Sequence, residues 1–568
     1  MKYKLIGENH FMNPIETILR NRGIDDIQSF LHTSEKDIIH WNKLRNIEKA
    51  VECMISHIEK KNKIFIQVDS DCDGVSSSAI LINYLRVVFP NIEIEWNMHD
   101  GKQHGVILEH VPDDADLVVI PDAGSNQYRE HRQLKEKGID VIVLDHHECE
   151  KESEYAIVVN NQMSPDYSNK ALSGAGVTYK FCKALDSKLG IDIADNYLDL
   201  VSLGNIGDMM DLRSLETRYY VLKGLKQIKN LFLQALYEKQ SFSTKGIINI
   251  INTQFYVVPL INANIRTGNL QEKLQMMNAF LESKELIYNT RKKESETIHV
   301  ATARLLTNVK ARQGRIRDKN VAAIEEKIAE KNLLDNKLLI VEVGSILDKN
   351  LTGLVANSLA KKYKRGTLLL RYNKETGILN GSGRGYDKGV IKDLRQLLLE
   401  TEKFIYVEGH GNAHGISIEA KNLIEANEII NEKLKDVEID VGFHEVDFIV
   451  PSKQLKPKFI KELHSLRDNW GYKVEEPLIA ISDIEVNKDE VYINGSKKNT
   501  LKFTCKGIEF IKFFSSESEW ESIVNQGERL VIDVIGKCSL NEYQGKKTAQ
   551  ILIEDYEVAK VKEKEFVF

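Results

Sequence analysis

The chain has 568 residues, of which 42% are apolar, and its formal net charge at pH 7 is −6. A single hydrophobic core seldom exceeds about 250–300 residues, so the length predicts several domains. No apolar run approaches the roughly 18 residues of a membrane-spanning helix, and the six cysteines contain no CxxC pair, which argues against a zinc finger. The mild acidity gives no general attraction to nucleic acid, so local basic clusters would have to supply any such binding.

Residues 1–45 predict a small helical lead-in to the first domain. The opening residues carry no apolar core of the kind found in secretory signals. The cysteines are scattered along the chain, which is typical of reduced thiols in a cytoplasm. We therefore expect a cytoplasmic protein that does not associate with membranes.

Residues 46–268 predict a doubly wound sheet of parallel strands. Apolar runs at 64–68, 117–120 and 141–144 have the length and the Val, Ile and Leu content of buried parallel strands, and helical patterns separate them. Strands that alternate with helices indicate an α/β fold, in which functional sites form beyond the carboxyl ends of the strands.

Carboxylate and imidazole side chains follow each of these three runs. They are Asp69, Asp71 and Asp73 after the first run, Asp122 after the second, and Asp145, His146 and His147 after the third, with Asp208 farther downstream. Neighbouring carboxylates raise each other's pKa unless a cation lies among them. Oxygen ligands mixed with imidazole suit Mn²⁺, with Mg²⁺ as a substitute. The set predicts a divalent metal site, whereas the simpler interpretation of any one motif is a solvated turn that caps the next helix.

The segment 269–334 predicts one or two long connecting helices, because it is rich in Ala, Leu, Glu, Lys and Arg and contains almost no Gly or Pro. Arg312 and Arg315 fall at helical spacing and would share one face. A second basic cluster lies at 361–365. Each cluster is either a solvated helix face or a contact for the phosphate backbone of a nucleic acid, and a neighbouring phosphodiesterase site would favour the second interpretation.

Two further domains are predicted downstream. Residues 335–435 begin with an apolar strand and predict a second α/β unit, whose glycine-rich stretches surround Ser382, Arg384 and His410. Glycine there permits either tight turns or a close approach of backbone amides to phosphate. Residues 436–568 contain short alternating runs separated by polar turns, which predict a small antiparallel β-barrel.

The motifs resemble those of the DHH phosphoesterase superfamily and, within it, of the RecJ-type single-strand-specific exonucleases, in the order in which that family carries them. The matching segments are Asp69–Gly74, Asp122–Ser125, Asp145–His147, Gly204–Asp208, Gly381–Arg384 and Gly409–Gly415. The resemblance implies a multidomain α/β protein. Its parts would be a lead-in at 1–45, a parallel-sheet DHH catalytic domain at 46–268, connecting helices at 269–334, a DHHA1 domain at 335–435 and an OB-fold-like β-barrel at 436–568.

The resemblance also implies roles for individual side chains. The side chains expected to hold two Mn²⁺ ions are Asp71, Asp73, Asp122, His146 and Asp208. Asp122 would bridge the two ions, and Asp69 would lie in or beside their coordination shell. Asp145 is expected to orient His146, whereas His147 would face the phosphate and donate a hydrogen bond or a proton to the leaving group. The expected contacts to DNA and to its phosphates are Arg266, Ser382, Arg384, His410, Arg312 and Arg315.

The implied activity is metal-dependent, 5′-to-3′ hydrolysis of single-stranded DNA in repair and recombination. The implied partners are single-stranded DNA and a single-strand-binding protein or helicase, and the chain is expected to act as a monomer. Some positions depart from the family pattern, among them Asn205 and Gly207, where Thr and Ala are usual. These departures surround the expected substrate path and indicate a divergent, phage-borne member.

Two other interpretations stay open at this point. A nanoRNase, a cyclic-dinucleotide phosphodiesterase or a pyrophosphatase of the same superfamily would share the catalytic and DHHA1 domains but lack a barrel like the one predicted at 478–560. A non-catalytic replisome scaffold would have lost its metal ligands, and this chain keeps the full set.

Overall fold

The computed structural model describes residues 1–101, 103–439, 442–495, 498–543 and 545–559. Residues 560–568, at the end of the predicted barrel domain, lie outside the described residues. Within the described ranges, no helix is both long enough and apolar enough to cross a lipid bilayer.

The chain divides into two compact units. The parallel-sheet unit comprises Gln28–Ile316 and Asp468–Val474. The two-sheet unit comprises Met1–Ile27, Arg317–Arg467 and Glu475–Phe568.

Strands and helices alternate in parts of the chain, whereas residues 174–280 form a run of helices without an intervening strand. In chain order the strands are β1 (Tyr3–Leu5), β2 (Ile64–Val68), β3 (Ile94–Met98), β4 (Leu117–Pro121), β5 (Asp140–Asp145), β6 (Ile157–Asn160), β7 (Leu286–Asn289), β8 (Glu294–Thr297), β9 (Leu339–Glu342), β10 (Thr367–Tyr372), β11 (Ile378–Arg384), β12 (Phe404–His410), β13 (Ala413–Glu419), β14 (His444–Val446), β15 (Phe448–Pro451), β16 (Leu478–Asn487), β17 (Tyr492–Asn494), β18 (Thr500–Cys505), β19 (Ile508–Phe513), β20 (Arg529–Tyr543) and β21 (Lys546–Ala559). The α-helices are α1 (Pro14–Asn21), α2 (Ile27–Leu31), α3 (Ile47–Glu59), α4 (Cys72–Val88), α5 (Tyr128–Glu136), α6 (Gly174–Leu189), α7 (Leu198–Gly207), α8 (Leu215–Lys226), α9 (Leu231–Thr244), α10 (Ile250–Asn252), α11 (Val258–Thr267), α12 (Leu270–Phe280), α13 (Ile298–Glu330), α14 (Thr352–Tyr363), α15 (Leu394–Leu399), α16 (Leu423–Lys433), α17 (Pro457–Ser465) and α18 (Glu517–Val524).

The parallel-sheet unit is built on a five-stranded sheet in the order β3-β2-β4-β5-β6, and every pair of neighbours in it is parallel. The three apolar runs form β2, β4 and β5, and all residues of β2 and β4 are buried. One core contains Phe65 of β2, Val118 and Ile120 of β4, Val141 and Val143 of β5, and Leu134 of α5. The prediction of a parallel-stranded α/β unit is therefore confirmed, and β2, β4 and β5 are adjacent within it.

Helix α4 follows β2 after a turn of three residues and is covered by α6, α7 and the sheet. Its middle turns, including Ala79–Ile82, are completely buried. A helix that is apolar on nearly all sides is typical of a position inside a core. The first turn of α4 therefore lies in a fixed position beside the carboxyl ends of the strands.

The two-sheet unit contains two larger sheets. The first has the order β12-β13-β11-β10-β9, in which β9 and β10 are parallel and the other neighbours are antiparallel. The second has the order β15-β16-β20-β21-β19-β18-β17, with parallel pairs at β15–β16 and β19–β21. Strand β16 also packs against β18, so this second sheet curls on itself. The predicted second α/β unit is present, and the C-terminal region is rich in β-strands as predicted, but its sheet is mixed and not wholly antiparallel.

One local prediction was wrong and another was incomplete. The segment 269–334 is not helical throughout, because the antiparallel hairpin β7–β8 lies between α12 and the long helix α13. The run Leu286–Tyr288 lacks the alternation that would have distinguished a strand from a helix. The N-terminal lead-in contains the helices α1 and α2, as expected, but also the strand β1, which pairs in parallel with β14. A strand of three residues is too short to show a period.

Candidate metal centre

The carboxyl ends of three adjacent strands bring the acidic side chains to one edge of the sheet. Asp69 follows β2, Asp122 follows β4, and Asp145 ends β5. All three side chains are buried. Because β4 lies between β2 and β5, Asp122 is flanked by the other two strand ends.

Asp73 is held by the start of helix α6. Its carboxylate accepts hydrogen bonds from Ser173 Oγ (2.9 Å), Gly174 N–H (2.7 Å) and Ala175 N–H (3.0 Å). The free amides and the dipole of a helix N-terminus stabilise negative charge. A Cβ atom at Gly204 would overlap Asp73 Oδ1, so α7 can approach this carboxylate only with glycine at that point.

Asp122 adopts a left-handed backbone conformation, with a φ of 65°. Few non-glycine residues adopt it, and Asp is among those that tolerate it best. The Asp122 N–H donates to the carbonyl of Leu144 (2.8 Å), which fixes the turn after β4 to strand β5. A Cβ atom at Gly174 would overlap Asp122 Oδ1, so the start of α6 also lies against this carboxylate.

The imidazole of His146 lies among three carboxylates. Its Nε2 atom is 3.2 Å from Asp122 Oδ1, 3.5 Å from Asp208 Oδ2 and 3.8 Å from Asp73 Oδ2. The His146 side chain is 7% exposed, and that of Asp208, the residue that caps the end of α7, is 33% exposed. Asp73, His146 and Asp208 each offer a ligand atom within 4.8 Å of the others.

A second group of carboxylates lies beside the first. Asp69, Asp71 and Asp122 offer oxygens that are also within 4.8 Å of one another. Asp71 is the N-cap of α4, and its Oδ1 accepts a hydrogen bond from the N–H of Gly74 (2.9 Å). Asp122 contributes to this group and also lies next to His146, so the two groups meet at Asp122.

The donor set fits divalent cations. Nε2 of His146 and Oδ1 of Asp122 are buried, and neither has a hydrogen-bond partner among the residues that the structure describes. A buried polar atom without a partner is costly, and a cation bound by both atoms would satisfy them. Carboxylate oxygens together with imidazole nitrogen suit Mn²⁺, and the oxygens also suit Mg²⁺.

Crowding changes the pKa values of these groups. Burial raises the pKa of Asp69 and of Asp73. Burial, followed by the charges of Asp73 and Asp71, raises the pKa of Asp122 well above its ordinary value and that of Asp208 to about 8. Without a cation, Asp208 therefore holds a proton at neutral pH, and the protonated form of Asp122 is also favoured. A bound cation would displace those protons.

Asp145 contacts the ring of His147 and not that of His146, which corrects the predicted pairing. Asp145 Oδ1 lies 2.8 Å from Nδ1 of His147 and accepts from the backbone N–H of His146 (2.7 Å), while its Oδ2 accepts from the N–H of Ser125 (3.0 Å). The reason is geometric, because the ring of His146 extends to Asp122 and that of His147 folds back to the strand end.

The pair formed by Asp145 and His147 is electrostatically coupled. Burial alone would raise the pKa of Asp145, but the hydrogen bond and the charge of His147 hold it below its ordinary value. Burial acts to lower the pKa of His147, but the hydrogen bond and the charge of Asp145 raise it to about 9. His147 is therefore an imidazolium at neutral pH, and its side chain is 54% exposed.

Polar side chains outside the predicted motifs hold the two histidines. Asn160, the last residue of β6, donates to the carbonyl of His147 (2.9 Å) and to Ser125 Oγ (2.9 Å). Gln162 donates to the carbonyl of His146 (3.1 Å). The sequence could have pointed to Asn160 as a site residue, because Asn160 directly follows an apolar run, as the predicted acids do.

Asp69 is likewise held by residues that carry no motif. Nδ1 of His104 lies 2.7 Å from Asp69 Oδ2, and the N–H of Gly105 donates to Asp69 Oδ1 (2.9 Å). Both residues belong to the loop that follows β3, and a lone histidine in a polar loop gives no signal of its partner.

The three arginines of the parallel-sheet unit that were predicted to contact DNA lie in different surroundings. Burial lowers the pKa of Arg266 in α11, and the charge of Asp71 opposes that change, so the guanidinium lies within electrostatic reach of the carboxylates. Arg312 donates to Glu272 (2.7 Å) and to the carbonyl of Thr267 (3.2 Å), the last residue of α11. Arg315 is exposed. The helical spacing predicted that Arg312 and Arg315 share one face. Arg312 instead packs against the connection between α11 and α12, so it does not form one exposed surface with Arg315.

In the two-sheet unit, Ser382 and Arg384 of β11 face the start of α14. A Cβ atom at Gly353, the second residue of α14, would overlap Arg384 Nη2 and lie 3.7 Å from Ser382 Oγ. A guanidinium, a hydroxyl group and a helix N-terminus together attract anions.

His410 lies at the exposed end of β12, in the same sheet as Ser382 and Arg384. Ala413 of β13 pairs with Arg384 on one side and with His410 on the other. Arg384, Ala413 and His410 therefore form one row across three adjacent strands.

Known proteins are similar to this chain in sequence. Residues 63–205 match the family model described as "DHH family, N-terminal domain", and residues 446–555 match the "RecJ OB domain". The Bacillus subtilis protein named "Putative SPbeta prophage-derived single-strand DNA-specific exonuclease YorK" is 52% identical over 576 residues, which cover 100% of both chains. The Bacillus subtilis "Single-stranded-DNA-specific exonuclease RecJ" is 26% identical over 582 residues, which cover 98% of this chain and 70% of that one.

The fold is also similar to a solved structure. The crystal structure of RecJ in complex with Mn²⁺ from Thermus thermophilus matches with a TM-score of 0.72 at 18% identity, over 98% of this chain and 78% of that one. This match covers the sheets of both units, and the sequence matches cover the strand ends that carry the carboxylates. The chain belongs to the RecJ-type branch of the DHH family.

Proposed function

We propose that this chain is a metal-dependent exonuclease that hydrolyses the phosphodiester bonds of single-stranded DNA. The observation that carries the proposal is the meeting of two groups of metal-binding side chains at the buried carboxylate of Asp122. The names of the two Bacillus subtilis relatives support the substrate class. The Mn²⁺ complex of the Thermus thermophilus relative supports the choice of metal, with Mg²⁺ as the substitute.

In this proposal each group of side chains holds one cation. Asp73, Asp122, His146 and Asp208 would hold the first cation, and Asp69, Asp71 and Asp122 would hold the second. When bound, such a pair of cations stabilises the negative charge that develops on the phosphate and lowers the pKa of water. The amides of α6 keep the carboxylate of Asp73 in position, and the left-handed turn at Asp122 directs that carboxylate to both groups.

His147 acts on the leaving group. Its pKa is raised to about 9, so at neutral pH the ring carries a proton that it can donate to the leaving oxygen or share with the phosphate. Asp145 fixes the orientation of the ring through the 2.8 Å contact at Nδ1. The exposed edge of the ring leaves room for a strand to approach.

Other basic side chains bind the phosphates of the strand. In the parallel-sheet unit, Arg266 is the candidate, because it lies within electrostatic reach of Asp71. In the two-sheet unit, Ser382 and Arg384 at the start of α14 are the candidates for a terminal 5′-phosphate, with His410 in the same row. Guanidinium groups bind phosphate in a bidentate fashion. A preference for 5′-phosphate at Arg384 would give the 5′-to-3′ direction.

We extend the proposal to the domains and to the cellular setting. The catalytic part would be residues 46–268, the connecting helices 269–334, the DHHA1 part 335–435 and the nucleic-acid-binding part 436–568, after a lead-in at 1–45. The enzyme would act as a monomer in DNA repair and recombination, together with a single-strand-binding protein or a helicase. The free thiols of the described cysteines support a cytoplasmic location.

Product analysis on labelled strands tests the proposal. An oligonucleotide of about 30 nucleotides, several times the site size of one OB fold, is labelled at the 5′ or the 3′ end and offered with or without a complementary strand, in Mn²⁺, Mg²⁺ or EDTA. We expect mononucleotides from the 5′ end of the single strand in Mn²⁺ and no products in EDTA. Asp122→Ala should lower the rate by about 10³-fold or more, whereas Asp114→Ala, at an exposed residue that pairs with Lys63, should not.

The same experiment distinguishes the alternatives. Faster hydrolysis of a dinucleotide than of the long strand would identify a nanoRNase or a cyclic-dinucleotide phosphodiesterase. Strand binding without any cleavage in Mn²⁺ would identify a scaffold. Either result would reject the proposed function.

A further inference from the structure

A separate cluster of metal-ligating side chains lies at the amino ends of the strands of the parallel sheet. Cys53 and His57 belong to α3, and Asp140 is the first residue of β5. Each offers one ligand atom, and the three atoms lie within 4.8 Å of one another. Asp145 ends the same strand, Asp140–Asp145, so roughly 16 Å of extended chain separates this cluster from the metal centre. We call it the α3–β5 cluster.

The fold, more than the sequence, brings these three side chains together. Cys53 and His57 are four residues apart in α3, and side chains at that spacing lie on the same face of a helix. Asp140 comes from a distant part of the chain. The absence of a CxxC pair argues against a zinc finger, but it does not bear on a cluster in which one thiol is combined with imidazole and carboxylate.

The side chain of His57 is held in the orientation that metal binding requires. Its Nδ1 lies 2.9 Å from the side-chain amide of Asn62, and its Nε2 lies 3.1 Å from Oδ2 of Asp140. Only 9% of the side chain is exposed. In metal sites a polar partner at one ring nitrogen commonly orients the imidazole, so that the other nitrogen faces the ion. Nε2 of His57 is therefore the ligand atom of the ring.

The carboxylate of Asp140 is held in a similar way. Nζ of Lys135 donates to Oδ1 (2.7 Å), and Oδ2 is the oxygen that faces His57. The ligand atoms of a tetrahedral zinc ion lie roughly 3.4–3.6 Å from one another, given bond lengths of about 2.0–2.3 Å. The distance of 3.1 Å between Nε2 and Oδ2 would therefore lengthen only slightly around an ion. The ion would take the place of the proton that these two atoms share.

The thiol of Cys53 suits a metal ligand better than a nucleophile. Burial, followed by the charge of Asp140, raises the pKa of this thiol to about 11, whereas reactive cysteines have a lowered pKa. A metal ion binds the thiolate, and the proton of the thiol leaves to solvent. Thiolate and imidazole together favour Zn²⁺ over Mn²⁺ and Mg²⁺, which prefer oxygen ligands.

We propose that Cys53, His57 and Asp140 bind a zinc ion, which joins α3 to the start of β5 and stabilises the parallel-sheet unit. A water molecule would complete the four ligands. Solvent can reach the cluster, because Cys53 is half-buried and the side chain of Asp140 is 41% exposed. The inference is independent of the proposed function, since the cluster lies at the other end of β5 from the metal centre.

Cobalt spectroscopy tests the site. Co²⁺ takes the place of Zn²⁺ and gives a thiolate-to-metal charge-transfer band only when a sulfur atom is a ligand. The full-length protein is kept in excess Mg²⁺, which occupies the oxygen-rich centre at Asp122, and an equimolar amount of Co²⁺ is added. We expect the band in the wild type and its loss in Cys53→Ser and in His57→Gln. Added Zn²⁺ should also remove the band, because it displaces Co²⁺ from the same ligands.

Thermal unfolding measures the structural role. In excess Mg²⁺, Zn²⁺ at about 100 times its Kd should raise the Tm of the wild type by about 5 °C and leave that of Cys53→Ser unchanged. Without Zn²⁺ the two proteins should have similar Tm values, which shows that the variant is folded. The matched control is Cys505→Ser, at another half-buried cysteine, which should keep both the cobalt band and the response to Zn²⁺.

The absence of a charge-transfer band in the wild type would overturn the proposal. A band of equal strength in Cys53→Ser, or an equal rise of Tm in that variant, would also overturn it, because the ion would then bind elsewhere. A band without any rise of Tm would reject the stabilising role. None of these measurements depends on nuclease activity, so failure of the proposed function would leave their outcome unchanged.

Discussion

Nδ1 of His147 lies 2.8 Å from Oδ1 of Asp145, so a buried carboxylate at the end of β5 fixes an exposed imidazole beside the metal centre. The ring of His146 points elsewhere, and its Nε2 lies 3.2 Å from Asp122. Adjacent histidines of one motif therefore have different neighbours. In the proposed function the ring of His146 would help to hold a cation, and the exposed ring of His147 would meet the substrate.

Asp145→Asn should reduce catalysis without removing the metal. The asparagine oxygen can take the place of Oδ1 and still accept from the N–H of His146, but its NH₂ group then replaces Oδ2 beside the N–H of Ser125, and the charge that favours the protonated ring of His147 is lost. Proton donation in a transition state contributes about 10²–10⁴-fold, so we expect kcat to fall by at least about 10²-fold. Single-turnover rates and Mn²⁺ titration check this. A loss of Mn²⁺ affinity as large as the loss of rate would assign Asp145 to the metal instead.

Gly204→Ala should disrupt the metal centre through a single methyl group. The added Cβ atom would overlap Asp73 Oδ1 and press against Ala175, so the carboxylate would have to leave the amides of α6. We expect weaker Mn²⁺ binding and a loss of activity of about 10²-fold or more, as found when the support of a metal ligand is removed. Mn²⁺ titration measures the effect directly.

The matched control is Gly314→Ala in α13, where the added Cβ meets no atom within 4 Å outside the adjoining part of its own helix, among the residues that the structure describes. Alanine in a helix interior is about 1 kcal/mol more favourable than glycine, so this variant should be slightly more stable and fully active. Equal behaviour of the two variants would show that the close packing of Gly204 against Asp73 has no consequence.

The metal-free protein should lose stability as the pH rises. The pKa of Asp208 is raised from 3.8 to about 8 in the folded protein. Between those values the folded state holds a proton that the unfolded chain has released, so the free energy of unfolding falls with increasing pH. Thermal unfolding in EDTA at about pH 5 and about pH 8 should therefore give a lower Tm at the higher pH.

Mn²⁺ should increase the free energy of unfolding more at higher pH, because it binds the ionised carboxylates. We expect the increase of Tm on adding Mn²⁺ to be larger at about pH 8 than at about pH 5. In Asp208→Asn the pH dependence in EDTA should become smaller. A metal-free protein that is most stable at the higher pH, with no response to Mn²⁺, would contradict the assigned group.

Arg384→Lys should reduce the preference for a 5′-phosphate. Lysine keeps the positive charge at the start of α14 but cannot form the paired hydrogen bonds of a guanidinium. We expect the ratio of kcat/KM for 5′-phosphorylated over 5′-hydroxyl strands to fall by about 10-fold. Competition between the two strands in one reaction measures this ratio. An unchanged ratio would place the terminal phosphate elsewhere.

The sheet and the acidic strand ends could be predicted because their signals are local. Each of β2, β4 and β5 is an apolar run followed at once by a carboxylate, and the parallel arrangement then brings Asp69, Asp122 and Asp145 to one edge. These elements depend on the burial of neighbouring residues in the chain, which composition and period reveal.

Other features depend on contacts between distant residues, and no local pattern carries them. Whether Asp145 meets His146 or His147 is decided by two rotamers and by the position of Asp122, which comes from another strand. The contact of His104 with Asp69 joins two loops 35 residues apart. The ligand roles of the site residues stay predictions.

The most direct test of the metal centre is a crystal structure grown with Mn²⁺, with anomalous diffraction measured at the manganese edge. We expect two peaks about 3.5–4 Å apart, separated by the carboxylate of Asp122. One peak should contact Asp73, His146 and Asp208, and the other Asp69 and Asp71. Peaks only at another cluster, such as Cys53, His57 and Asp140, or no peak at Asp122, would contradict the proposed centre.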